Sequence, residues 1–309
     1  MKVSKKRLRQ LISEEFDNAL AILREQEEQG EALVDINDGP DAVLAAAQQL
    51  VANPDALKAG HTDPAGPGDE TFQIVQDSVT AKTLQPTQSQ IGTGQSLDDQ
   101  AGDKWGNLDR AIAGGRLASA SGEFPILVYK NSILDGHHRW SQFMTTNPSA
   151  NVAVARLEAP GIKDADGALG LAHFINLALY GQSPTKPFKG MNVYSMSKDD
   201  IKQQALDNMA ETTPPKLHAA GLINEPTAEA AAEHFAENLS KISGPGSHPR
   251  TSMPQAADAG DPTGLTQTPS EVATGEVNYL DPHITDVQES KTDSGNVITE
   301  RWQRMAGLL

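Results

Sequence analysis

Cysteine is absent from all 309 residues, which excludes disulfides, zinc–thiolate sites and thiol nucleophiles. Positive charge is in deficit: 25 Lys and Arg face 41 Asp and Glu, for a formal charge of −16. A field of that sign repels phosphate at long range. Contact with nucleic acid is therefore not favoured and would need a local basic patch. No apolar run approaches the ~20 residues that span a bilayer, so no membrane span is expected. The basic N-terminus leads into no continuous apolar stretch, unlike a secretory signal. These absences predict a soluble protein of a cell's cytoplasm or of a virion.

Aromatic residues are scarce, at 5%, and unevenly placed. Phe72, Trp105, Phe124, Tyr129, Trp140 and Phe143 fall between 72 and 143. None lies between 17 and 71, and only Tyr279 and Trp302 lie beyond 235. Large rings dominate core energetics, so this map places the packed domain at 70–160, with a helical extension over 161–242.

The flanks divide by pattern. In 1–30, Leu8, Leu11, Ile12, Phe16, Leu20 and Leu23 recur at helical spacing, which predicts an amphipathic N-terminal helix with a basic start. Residues 31–69 read as a further helix after Asp38-Gly39-Pro40 and then a linker. Residues 243–295 are rich in Pro, Gly, Ser and Thr, the composition of a disordered linker. Residues 296–309 place Val297, Ile298, Trp302, Met305 and Leu309 on one helical face. Two amphipathic ends suggest docking on the same chain or on a protein partner, and resemble attachment elements of large bacteriophage proteins.

Within the domain the order is strand, helix, helix, hairpin, helix, strand, which is α+β. A strand runs from about Phe72 to Val79. Pro86 suits a first helical position. One helix runs through Leu108 and Ile112 to a Gly114-Gly115 stop. Ile126 to Tyr129 and Ser132 to Leu134 form a hairpin on the Lys130-Asn131 turn. "HHRWSQFMTT" is a helix and "NVAVARLEA" a strand. In 228–242, Glu229, Glu233 and Glu237 with His234 read as a solvated helix face rather than a metal site. His173, in an apolar helix over 167–181, reads as a satisfied core residue.

The chemistry concentrates in "SILDGHHRWSQF", residues 132–143. A helix beginning near Gly136 leaves its first amides unpaired and its end partly positive. Gly136 lets an oxyanion approach the backbone. Arg139 offers a planar fork for phosphate oxygens. His137 and His138 can donate hydrogen bonds or move protons near neutrality. Asp135 could hold a histidine tautomer, bind magnesium or accept a proton. Together these describe an anion site. The competing reading is a turn with Asp135 as the helix cap and both histidines exposed.

"ILDGHHRW" resembles the signature of the ParB/sulfiredoxin superfamily, especially its ParB-like nuclease families, where a Gly-x-His/Arg-Arg box opens a helix after a β-hairpin. "LQPTQSQI" resembles an earlier element of the same families. The resemblance covers roughly 70–160. It implies a small ParB/sulfiredoxin-like mixed domain with a nucleotide-phosphate pocket for ATP or CTP with Mg2+. Gly136, His138 and Arg139 would contact phosphate, and Thr87 and Gln88 would form the pocket wall. Asp135, His137 and His138 would be the catalytic candidates, with Asp135 also the metal ligand. The sulfiredoxin reaction is excluded without cysteine. Residues 163–242 are acidic and Ala-rich, with no basic recognition helix of the partition type. Two classes stay open: an enzyme of nucleotide hydrolysis, phosphoryl transfer or phosphodiester cleavage, and a non-catalytic virion or complex component using the same fold.

Overall fold

The computed structural model describes residues 31–32, 35–50, 72–119, 122–180, 187–242, 244–254 and 283–284. In chain order its strands are β1 (Glu31–Ala32), β2 (Gln73–Thr80), β3 (Gln85–Pro86), β4 (Leu117–Ser119), β5 (Gly122–Phe124), β6 (Ile126–Tyr129), β7 (Ser132–Asp135), β8 (Asn151–Glu158) and β9 (His283–Ile284). The α-helices are α1 (Pro40–Leu50), α2 (Thr93–Ala101), α3 (Asn107–Ala113), α4 (His137–Thr146), α5 (Ala165–Tyr180), α6 (Lys198–Asp207), α7 (Thr213–Ala219) and α8 (Ala228–Leu239). The architecture is α+β, as the element order predicts. The expected helices at 1–30 and 296–309 lie outside the described residues.

A five-stranded mixed sheet, in the order β2-β8-β6-β7-β3, forms the centre. Two pairs are antiparallel (β2 with β8, β6 with β7) and two parallel (β6 with β8, β3 with β7). Side-chain alternation supplies two cores. Ile126, Val128, Val152 and Val154 join one cluster with Trp140 and Phe143 of α4, Leu97 of α2 and Phe235 of α8. Leu127, Tyr129, Ala155 and Leu157 join the other, with Leu169 and Phe174 of α5. All four residues of β6 are buried because helices cover both faces.

Three sequence readings need correction. Pro86 does not open a helix. It lies in β3, where a proline suits an edge strand, and α2 begins only at Thr93. The single helix expected through Leu108 is two. Gly102 ends α2, and Asp103, Trp105 and Gly106 all adopt left-handed backbone before α3. Trp105 is consequently 53% exposed and is not a core ring. The domain also gathers more chain than the aromatic map suggests. Ile36 is buried in the second core, and α1 packs on α5. Residues 244–254, read as linker, dock against the domain through buried His248, Ser252, Met253 and Pro254, with Met253 1% exposed.

Other readings match in detail. The hairpin forms on Lys130-Asn131, with Tyr129 opposite Ser132. Glu233 and Glu237 pair with Lys198, Lys202 and Lys241 on the surface. His173 is buried against the Ser252 carbonyl as expected, whereas His234 departs from the solvated-face reading and turns inward to the Thr146 carbonyl. Trp140 joins the layers: it is 1% exposed and its Nε1–H donates to the Ala81 carbonyl at 2.9 Å. Trp140→Ala should lower unfolding free energy by about 3–5 kcal/mol, the usual cost of emptying an aromatic core site, and a urea titration followed by circular dichroism measures it.

Candidate functional site

The hairpin delivers the chain to the start of α4 through an irregular step. Pairing between β6 and β7 shifts register so that Val128 faces Ile133 while Leu127 faces Asp135, leaving Leu134 as an extra residue. Such a bulge bends the strand and re-aims the next residues of the chain. Gly136 then takes φ 97°, ψ 19°, and the helix closes its first bond from the Trp140 amide to the Gly136 carbonyl at 2.8 Å. A side chain at 136 would be strained by that φ, and its Cβ would lie 2.9 Å from the Arg139 Nη2. No side chain caps the helix. Asp135 does not act as the cap; its Oδ2 accepts from Arg139 Nη2 at 3.1 Å.

His137 is 3% exposed and faces the Pro86-Thr87-Gln88 segment. Its Nε2 accepts the backbone amides of Thr87 at 3.2 Å and Gln88 at 3.3 Å. A backbone N–H can only donate, so Nε2 carries a lone pair and the ring is neutral. Burial, with the charges of Arg250 and Arg139 adding to it, pushes its pKa down to about 3. The Thr87 hydroxyl donates to the Ile133 carbonyl at 2.6 Å and is likewise committed.

His138 sits at the edge of the pocket with both ring nitrogens turned inward. Nδ1 lies 2.7 Å from the Ser96 hydroxyl, and Nε2 lies 3.2 Å from Asp99 Oδ2 and 3.1 Å from Gln142 Nε2. Gln142 Oε1 accepts from Gln100 and Asn107, which turns its amide toward Asp99 and His138 Nε2; that ring nitrogen either donates to Asp99 or accepts the amide, according to tautomer. Asp99 is buried and also pairs with Lys104 at 3.3 Å. Ser96 is fully buried, so the aligned carboxylate, imidazole and hydroxyl do not present a nucleophile to solvent.

A cavity of about 310 Å³ opens beside the start of α4. Gln88, Gln95, His138, Phe188, Lys189 and Arg250 are among its walls. Of the expected residues, Gln88, His137 and His138 reach it; Asp135, Gly136, Arg139 and Thr87 do not line it. Arg139 instead covers Gly136 and stands 6.0 Å from the Phe124 ring, with its Nε buried and unpartnered. The guanidinium in the cavity is that of Arg250. Sequence reasoning missed Arg250 and Lys189 because both lie far along the chain, Arg250 within a stretch of linker composition. Gln95 carried no local signal beyond its closeness to the Pro-Thr-Gln segment.

Compared with protein-family models, with curated proteins and with solved structures, the chain matches none of them. The site therefore stands on its own chemistry. Among the described residues no Asp or Glu lines the cavity, while Lys189, Arg250 and the first two residues of α4, His137 and His138, do. That set suits an anion. It does not suit a protein-held magnesium ion, which takes carboxylate oxygens. Asp135 is engaged with Arg139, and among the described residues no group of three or more His, Asp or Glu is placed to hold a metal. No helix among the described residues is long and apolar enough to cross a membrane.

The ion pair and the buried imidazole each give a measurable outcome. Arg139→Ala strands a largely buried carboxylate and should cost on the order of 2–3 kcal/mol of stability in chemical denaturation. For His137 the folded pKa lies below the ordinary 6.5. An unfolded chain therefore binds a proton that the folded ring refuses, and stability present above pH 6.5 drains away as pH falls toward about 3. His137→Gln should remove up to ~1.4 kcal/mol per pH unit of that slope, read from denaturation midpoints between pH 6.5 and 4.

Proposed function

We propose that the chain is a phosphate-binding module of the ParB/sulfiredoxin type that holds a nucleotide-class polyphosphate without turning it over. The observation that carries this reading is a contrast. All three groups suited to proton or metal chemistry are committed to internal partners: Asp135 to Arg139, His137 to two amides, His138 to Ser96 and Asp99. The cavity beside them offers cations, amide side chains and an uncapped helix start, which bind anions and do no chemistry by themselves. The family assignment is supported by the hairpin that leads into Gly136 and by the contact of the Pro-Thr-Gln segment with His137.

Ile91, Pro187 and Phe188 give the same cavity an apolar side, suited to the ring or sugar of a nucleotide. Among the described residues no carboxylate lines the cavity to hold magnesium, so a metal would enter on the ligand's own phosphates. Calorimetry with ATP, CTP and inorganic triphosphate, each with and without Mg2+, should show binding in both conditions and no phosphate release over hours. Lys189→Ala should weaken binding about tenfold, the scale of one charge-assisted hydrogen bond. Steady release of phosphate that His138→Gln abolishes would instead establish the enzyme reading.

A further inference from the structure

Residues 244–254 pack where a mobile linker was expected, and they carry Arg250 to the cavity. We propose that Arg250 is a ligand-binding residue of this site and that 244–254 is a strap that positions it, so that ligand binding and strap docking reinforce each other. This rests on the phosphate-binding reading above.

The strap is pinned on both sides of Arg250. Upstream it runs parallel to the Pro-Thr-Gln segment. The His248 amide donates to the Thr87 carbonyl at 3.0 Å, the Ser89 amide donates to the His248 carbonyl at 2.6 Å, and the Gly246 amide donates to the Gln88 carbonyl at 3.2 Å. The approach is so close that a Cβ on Gly246 would overlap the Thr87 carbonyl. His248 Nε2 also meets Asp166 Oδ1 of α5 at 2.8 Å. Downstream, the Ser252 carbonyl accepts from His173 at 2.7 Å and Met253 is buried in the second core. Between these anchors the Arg250 amide donates to Gln90 Oε1 at 3.2 Å, and its Nη1 donates to Gln88 Oε1 at 3.3 Å.

Geometry gives this arrangement its consequence. Gln88 and Gln90 belong to the segment that His137 holds against α4, so Arg250 is indexed to the helix start through only two links. Its charge helps to keep His137 neutral, which places the guanidinium within electrostatic reach of that helix end. An anion between α4 and Arg250 attracts both. The strap's regular structure is a three-residue 3-10 turn (Arg250–Ser252) and one bridge, so its order depends on the surfaces it docks against. A ligand that binds only the docked strap must stabilise docking by the same free energy that docking adds to binding.

Inorganic triphosphate is the probe, with the full chain, calorimetry and hydrogen exchange of peptides covering 244–254. Arg250→Ala should weaken binding at least tenfold. Met253→Ala, remote from the cavity, should weaken it several-fold in the natural background and have no further effect in the Arg250→Ala background, because it acts only through Arg250. Gly246→Ala serves the same cycle if Met253→Ala does not fold. Triphosphate should slow exchange across the strap in the natural protein and not in Arg250→Ala. Equal affinity for the natural protein and Arg250→Ala, or strap exchange unmoved by ligand, overturns the inference and leaves the phosphate reading standing. No binding of triphosphate by the natural protein overturns both.

Discussion

His137 Nε2 accepts two backbone amides, at 3.2 and 3.3 Å, from a segment 50 residues earlier in the chain. The loop from Thr87 to Gly92 has no strand or helix of its own to bond its amides, and a buried unpaired amide costs about 1–3 kcal/mol. The imidazole meets that need only while neutral. Burial and two guanidiniums keep it so. The loop is thereby fixed to the first residue of α4, and several walls of the cavity are tied to that junction. Gln88 and Gln95 are placed by the loop and the helix after it. Arg250 is placed by Gln88, and the Lys189 loop is tied to the same segment through Asn192, whose Oδ1 accepts the Ile91 amide at 3.0 Å.

A second constraint acts on the neighbouring residue. His138 is built into a polar layer between α2 and α4, with Ser96, Asp99, Gln100, Ser141 and Gln142 bonded to one another. Buried polar groups are costly when half-satisfied and rigid when complete. Here each has a partner, and the layer fixes the angle at which α2 meets the helix start. Each group of the box thus has a structural partner of its own. Asp135 and Arg139 close the outer side, His137 the loop side, His138 the helix side.

How much of this fold is legible in the sequence depends on range. The hairpin, its turn, the helix after Gly136 and the final strand are local patterns of period two or 3.6, and all appear where the pattern puts them. The break between α2 and α3 does not show, because it depends on three left-handed residues, of which only Gly106 announces such a backbone. The site was half legible. Gln88, His137 and His138 reach the cavity, and Gly136 stands at the junction without lining it. Arg139 looked like a phosphate clamp because its spacing from Gly136 suits one. Its spacing of four from Asp135 equally suits an ion pair, and only the folded geometry chooses between them. Arg250 was hidden by composition: "GPGSHPRTSMP" has no periodicity, and its order comes entirely from the surfaces it meets.

Charge then separates the ligands this cavity could admit. The chain carries −16 overall, yet the cavity wall holds Lys189, Arg250 and a helix N-terminus with no carboxylate among its lining residues. Acidic groups farther away than the Debye length of about 8 Å are largely screened at physiological salt, so an anion inside the cavity responds mainly to the cations beside it. A small polyphosphate can take that position. A long nucleic acid would bring many more phosphates into the field of a chain whose net charge is −16. A cavity of about 310 Å³ imposes the same limit by size, since it holds a small ligand or the end of one but not a duplex. Among the described residues, a pocket of this size lined by Lys189 and Arg250 is therefore matched in charge and volume to a small anion rather than to a polymer.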